Sequence, residues 1–382
     1  MTWTHIQNAH IFAPEDLGIQ NLTLWNRHIL TIGTSPPPDV PVETIGANGC
    51  PLLPGFIDPH VHIMGASGVG GPTNRTPDQP ISRLTRAGIT TVVSPLGTDS
   101  LSRTITSLLM RAEAATAEGV SAYVYTGGWR NPIPTLTGDP QTDVTFLARV
   151  LGIKVAIAEP TAPPISVSEL AHLAHAAVIG GRFASKNAVL HAHIGDRPEG
   201  LTPLWDAQRQ SGLPADRFVA THINRNPTLF EQAIDFAKAG GSIDVTGQIQ
   251  IARGYPQAML AVDAILKLLN ANTPFNRITL STDSGGAYHL QGETRQRMAE
   301  PETMWQTVQT LHKTGLSWTQ IAGLASHHAA QLLGLSQKGR IAEGADADLL
   351  LLTQNGRLDR VWSQGRLMVK SGETLVKSDY ED

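Results

Sequence analysis

The chain reads as α/β: a TIM-like (β/α)8 barrel over residues 55–338, with a small β-sandwich domain built from residues 1–54 and 339–382. Three observations predict this. Short apolar runs recur with helical stretches between them, which is the signature of parallel βαβ units. About eight such runs fall in the central region, favouring a closed barrel over an open doubly wound sheet. Both ends of the chain read as β with little helix signal, and domain termini often lie near each other.

The elements follow in order. His5 to Phe12 alternates, Asn21 to Trp25 does so again, and His28 to Ile32 follows. Turn formers at Pro14-Glu15-Asp16 and Pro36-Pro37-Pro38-Asp39 separate them. An apolar run from Cys50 to Ile57 opens the central region. Later runs are Thr90–Val93, Ala122–Tyr125, Val155–Ile157, Ala188–Leu190, Phe218–Ala220, Ser242–Val245 and Ile278–Leu280. Helical patterns lie between several of them, over Ser102–Glu118, Val167–Val178, Pro227–Ala239 and Ala258–Asn270. After Gly344-Ala345-Asp346-Ala347-Asp348 the β pattern returns in Leu349–Leu352, Arg360–Ser363 and Leu367–Lys370.

Composition narrows the function classes. Apolar content of 41% and charged content of 16% suit a globular core rather than disorder. A net charge of −4 without a basic cluster gives no expectation of a nucleic-acid partner. The single cysteine, Cys50, rules out a disulfide framework within the chain and a cysteine-based zinc site. Met1-Thr2-Trp3-Thr4-His5 lacks a basic segment followed by a long apolar one, and no run has the length of a membrane span, so a cytoplasmic protein without a membrane partner is expected. Gly68-Val69-Gly70-Gly71 does not follow a strand in the form a dinucleotide site requires.

The polar residues at the ends of the apolar runs carry the chemistry. Gly55-Phe56-Ile57-Asp58-Pro59-His60-Val61-His62 ends in two histidines spaced i, i+2, so on a strand's end both aim the same way. Val189-Leu190 leads to His191-Ala192-His193, Phe218–Ala220 to Thr221-His222, and Ile278–Leu280 to Ser281-Thr282-Asp283. Lys154 stands beside Val155–Ile157. Imidazoles and a carboxylate converging on one barrel mouth suit a divalent metal with open positions, which activates water near neutral pH. Asp283 fits the group that takes the water's proton and later delivers it to the leaving group. An ammonium in that mouth would repel a dication; a Lys154 carbamylated by carbon dioxide would instead be an anionic ligand.

These residues resemble the amidohydrolase superfamily, whose pattern is His-x-His after the first barrel strand, lysine or glutamate on the fourth, single histidines on the fifth and sixth, and aspartate on the eighth. Within it the chain is similar to the isoaspartyl (β-aspartyl) dipeptidases, through Gly55–His62, Gly71-Pro72-Thr73-Asn74-Arg75-Thr76-Pro77, Leu96-Gly97-Thr98-Asp99-Ser100, Thr221-His222-Ile223-Asn224-Arg225-Asn226 and Leu280–Asp283. The resemblance implies that His60, His62 and Asp283 hold one zinc, His193 and His222 a second, and carboxylated Lys154 bridges them. It prefers His193 to His191, because His193 directly precedes Ile194-Gly195-Asp196. It makes Asp283 the general base and acid, pairs Arg225 with a substrate carboxylate and gives Thr98 a substrate hydrogen bond. A homo-oligomer acting on a small molecule or dipeptide is implied too.

Four positions depart from the family. Val69 stands where a glutamate holds the substrate's amino group. Trp129 follows Thr126-Gly127-Gly128, where a tyrosine polarises the scissile carbonyl. Thr161 replaces an arginine, and Ala287 a serine. The ligand set is kept and the substrate shell rewritten, with Arg130, Tyr288 and His289 as candidate substitutes. A valine cannot hold an ammonium. The expected function is a binuclear metal-dependent amidohydrolase cleaving an amide of a small carboxylate-bearing substrate, β-aspartyl dipeptides by default. The alternatives are a hydrolase of a cyclic imide or amide or of an N-acyl amino acid and, in another class, a catalytically weak metal- or ligand-binding homologue.

Overall fold

The computed structural model describes residues 3–37, 39–290, 292–293 and 295–381. Met1 and Thr2, at the start of the stretch read for a leader, and Pro38 of the proline-rich turn lie outside them. The barrel strands are β1 (Phe56–Asp58), β2 (Ile89–Ser94), β3 (Ser121–Gly127), β4 (Val150–Ile157), β5 (Val189–Ile194), β6 (Phe218–Thr221), β7 (Ser242–Thr246) and β8 (Ile278–Ser281). They pair in chain order, all parallel. Nearly every strand residue is buried, as expected for strands covered by helices on one side and filling the barrel on the other.

β1 and β8 meet at a seam closed by the segments that follow them. The Asp283 N–H donates to the His60 carbonyl at 2.9 Å, and the His62 N–H to the Ser284 carbonyl at 2.8 Å. Asp58 reinforces the seam from below: its carboxylate accepts from the His60 N–H at 3.1 Å and from the Thr282 N–H at 3.3 Å. Burial pushes the Asp58 carboxyl up to about 8, against the pull of the Thr282 hydroxyl and these two N–H groups.

The two ends of the chain share one nine-stranded sheet. Pro51–Pro54 joins the halves, parallel to Trp3–Phe12 and antiparallel to Leu349–Leu352. Ile6, Ile11, Leu22, Leu349, Leu351 and Trp362 pack together there.

Two expectations are corrected. The apolar run Cys50–Ile57 is not one strand: Pro51–Pro54 belongs to the terminal sheet and β1 to the barrel. The chain changes sheets at Gly55, whose N–H donates to the Asp348 carbonyl at 2.8 Å and where a Cβ would collide with the Thr90 side chain. Secondly, β1 ends at Asp58, so His60 and His62 lie past the strand. The seam bonds hold them there, with ring centroids 5.3 Å apart.

The helices follow the apolar periodicity with shifted ends. The fourth-strand crossover helix runs Val167–Phe183, five residues beyond the predicted end, and opens with a capping box between Ser166 and Glu169. Ala258 and its two successors lie before the helix Ala261–Asn270 rather than in it.

Candidate active site and metal centre

The segments after β1, β6 and β8, with β4 and β5 themselves, bring His60, His62, Lys154, His193, His222 and Asp283 to one end of the barrel. Asp283 Oδ1 lies 3.2 Å from His62 Nε2 and 3.5 Å from His60 Nε2. Lys154 Nζ lies 3.3 Å from the same His60 nitrogen. The ring of His222 is 5.0 Å from that of His60 and 4.6 Å from that of His193. His222 and Asp283 sit in the left-handed region, φ 68° and 54°, which turns both side chains into the mouth.

Each histidine is held from outside by one ring nitrogen. His62 Nδ1 donates to the Pro95 carbonyl at 3.1 Å, and His193 Nε2 meets Glu159 Oε2 at 3.1 Å. The Pro95 carbonyl can only accept, so the proton of His62 sits on Nδ1 and its Nε2 keeps a lone pair; His193 Nε2 is met by the Glu159 acceptor and also by the Arg225 Nη1 donor at 3.2 Å, contacts that ask for opposite tautomers. His60 Nδ1 meets His191 Nε2 at 2.9 Å and His222 Nδ1 meets Thr246 Oγ1 at 2.9 Å, partners that are able to accept. This is how metal-binding histidines are oriented by outer partners. Burial, with Lys154 nearby, holds the imidazoles of His60, His191, His193 and His222 well below their ordinary pKa, keeping them neutral.

The donor set therefore fits a divalent cation. Donor atoms of His60, His222 and Asp283 lie within 4.8 Å of one another. That trio draws from both ligand subsets implied by the sequence. Burial would raise the Asp283 carboxyl, but His62, His222 and Lys154 outweigh it and hold it below the usual range. Burial pushes the Lys154 amine down to about 7.

The mouth opens into a cavity of about 420 Å³. His62, His193 and Asp283 line it, with Val69, Thr98, Trp129, Thr161, Arg225 and Ala287 from the expected substrate shell. Val69 is 65% exposed at the rim. The Thr98 hydroxyl is buried without a hydrogen-bond partner. Arg130 is exposed and does not line the cavity; Tyr288 packs under the Arg253 guanidinium at 4.5 Å; His289 is exposed and bonds Gln296.

Arg225 is engaged within the protein: Nε donates to Asp196 Oδ2 at 2.8 Å, and Nη2 lies 3.5 Å from Glu159 Oε2. Burial disfavours its charge, but Tyr255, Asp196 and Glu159 more than offset that and raise its pKa.

Sequence reasoning missed three residues. Gln248 lines the cavity and donates to Asp283 Oδ2 at 2.8 Å. Tyr255 lines it as well, its phenol pushed by burial up to about 12 and therefore a neutral hydroxyl. Glu159, two residues before Thr161, is buried with both oxygens in use. Only Glu159 carried a signal, an acid just past β4 in an otherwise apolar run.

The amidohydrolase family model matches residues 222–368, a stretch that includes His222 and Asp283. The β-aspartyl dipeptidase of Fervidobacterium islandicum AW-1, solved in complex with β-Asp-Leu, is 30% identical to this chain; the likeness covers 98% of both chains with a TM-score of 0.89. The D-hydantoinase (dihydropyrimidinase) from Thermus sp. is 16% identical over 99% of this chain and 98% of its own, with a TM-score of 0.71, a likeness of fold alone. One component of the formyltransferase/hydrolase complex Fhc from Methylorubrum extorquens is 28% identical over 131 residues, which span 31% of this chain and 24% of that relative's length.

Proposed function

Since the chain belongs to the amidohydrolase family, we propose that it is a metal-dependent hydrolase of C–N bonds that splits the amide of a small, carboxylate-bearing substrate, with β-aspartyl dipeptides first. The observation that carries this reading is the full-length likeness to a β-aspartyl dipeptidase, at 30% identity, combined with His60, His62 and His222 gathered around the Asp283 carboxylate.

In this reading His60, His62, His193, His222, Asp283 and Lys154 hold two divalent ions, zinc by default. Such ions lower the pKa of water to about 7 and polarise a carbonyl. Asp283 accepts the proton of the attacking water at a carboxylate oxygen and returns it to the leaving nitrogen. Gln248 restrains that carboxylate through Oδ2. With its amine lowered to about 7, Lys154 is substantially unprotonated at neutral pH. The free amine adds to carbon dioxide, forming an N–C bond and releasing a proton, and the resulting carbamate is the anionic ligand the site needs. Thr98 offers its unpartnered hydroxyl to the substrate. Arg225 offers its guanidinium to a carboxylate. A homo-oligomer, which the resemblance implies, and a cytoplasmic location accompany this reading.

A second reading, hydrolysis of a cyclic imide or amide or of an N-acyl amino acid, is favoured by Val69 and Trp129, which bring no charge to the cavity. The deciding experiment is hydrolysis of β-Asp-Leu by zinc-loaded protein, beside an N-acylated analogue and a cyclic imide. Turnover of the dipeptide supports the first reading. Turnover of only a blocked or cyclic substrate supports the second. No turnover of any of them overturns both and leaves a metal- or ligand-binding homologue.

A further inference from the structure

A second cavity, of about 500 Å³, adjoins the one at the barrel mouth, and Gly70, Asn74, Ala287 and Gln296 line both. One of its walls is a short hairpin that follows β8, in which Ala287–His289 pairs antiparallel with Gln296–Met298. Arg75, Arg295 and Arg297 line this annex, and among the described residues no carboxylate does.

The three arginines differ in what they already hold. Arg297 is matched by Glu293, to which it donates twice, at 3.0 and 2.8 Å. Arg75 has only a share of a carboxylate, since Asp99 lies 3.7 Å from it and 3.1 Å from Arg103. Arg295 is exposed and, among the described residues, has no acid in ion-pair reach. The annex is therefore electropositive, and a guanidinium fork is shaped for a carboxylate.

Its place fixes which part of a substrate reaches it. Gly286 and Ala287, just past Asp283 in the chain, line the mouth cavity on the way to the annex. Arg225, offered to the acyl carboxylate, comes instead from the segment after β6, two strands away from β8. In the proposed reaction Asp283 returns a proton to the leaving nitrogen, so the leaving group lies on the Asp283 side. The passage there is narrowed by little: Gly70 has no side chain, and a Cβ on it would come within 2.9 Å of the Asn74 side chain.

Resting on the proposed amide-hydrolase reading, we propose that the annex is a leaving-group subsite for an anionic side chain, with Arg295 as its specificity-determining residue and Arg75 in support. The enzyme then prefers amides whose leaving amine carries a second acid besides its terminal carboxylate, as glutamate does. The competing account is that these arginines are solvated surface charges with no part in selection.

The test compares β-Asp-Glu with β-Asp-Gln, which share size and shape and differ in charge. Exposed guanidiniums act through screened attraction, so wild-type zinc-loaded protein should favour β-Asp-Glu in kcat/KM by about 3- to 10-fold at low ionic strength, through KM, and lose that preference in concentrated salt. R295Q should bring the ratio towards unity. R295E should invert it, with β-Asp-Lys overtaking β-Asp-Glu; thermal melting controls for folding. No preference in wild type, or a preference that survives R295E, overturns the proposal. If neither dipeptide is hydrolysed, the reaction reading fails by itself, and the subsite is read from calorimetric binding of the same two intact dipeptides. Tighter binding of β-Asp-Glu that R295E abolishes supports it; equal binding, or none, overturns it.

Discussion

The indole N–H of Trp129 donates to the hydroxyl of Thr161 across 3.3 Å. Both are positions at which the chain is expected to depart from the pattern it resembles, and this contact couples the two. The ring of Trp129 also meets His193 edge-on at 4.5 Å. Replacing it by phenylalanine keeps that ring contact and removes the N–H. We expect KM for the amide substrate to rise by about 3- to 10-fold, the worth of one hydrogen bond, with metal content unchanged. Steady-state kinetics beside metal analysis checks this.

Asp283 is asked to carry a proton from a left-handed backbone. Asparagine tolerates that backbone and cannot carry the proton. Asp283→Asn should therefore fold as wild type, by circular dichroism and thermal melting, and lose about 10²- to 10⁴-fold in kcat. Wild-type turnover in this variant would remove Asp283 from proton transfer.

His191 sits behind His60, its Nε2 at 2.9 Å from His60 Nδ1 and its ring stacked on Tyr125 at 4.7 Å. His191→Phe preserves the stack and deletes the acceptor. Loss of such an outer partner costs metal affinity, by about 10- to 100-fold. Titration against a competing chelator measures it, and unaltered affinity would show that His60 needs no partner there.

His328 lies far from the mouth, its Nδ1 bonded to the Ile278 carbonyl at 2.9 Å. Burial lowers its pKa from 6.5 to about 4. Between these values the unfolded chain binds a proton that the folded chain does not. Stability therefore rises with pH through this window and is lost as pH falls from 6.5 towards 4, by on the order of 3 kcal/mol. His328→Gln should flatten that part of the profile. Urea unfolding of both proteins at several pH values between 4 and 7 decides it.

The barrel was legible because each strand is a compact apolar run and each crossover helix keeps its periodicity, as in Val167–Phe183. The candidate ligand histidines stood out because they come soon after those runs. What escaped was set by tertiary contact. The break at Gly55 depends on Thr90 and Asp348, which are distant in sequence. Gln248 reaches Asp283 across 35 residues, and no local pattern announces a glutamine that will bond a carboxylate. Arg225 was expected to meet a substrate carboxylate; its pairing with Asp196 and Glu159 arises only when the ends of β4, β5 and β6 converge.

The seam between β1 and β8 gives the enzyme an unusual dependence. The bonds that fasten the ring, Asp283 to His60 and His62 to Ser284, run through residues that would grip the cation. Those partners lie more than 200 residues apart, so the fastening is the longest loop the barrel must close and among its costliest contacts to form. An ion seated there would work as a clasp, adding to these backbone bonds a second tie between the beginning of the barrel and its end. Chelation should accordingly speed amide hydrogen exchange at His62 and Asp283 before it touches β4 or β5, whose ladders close without the ion.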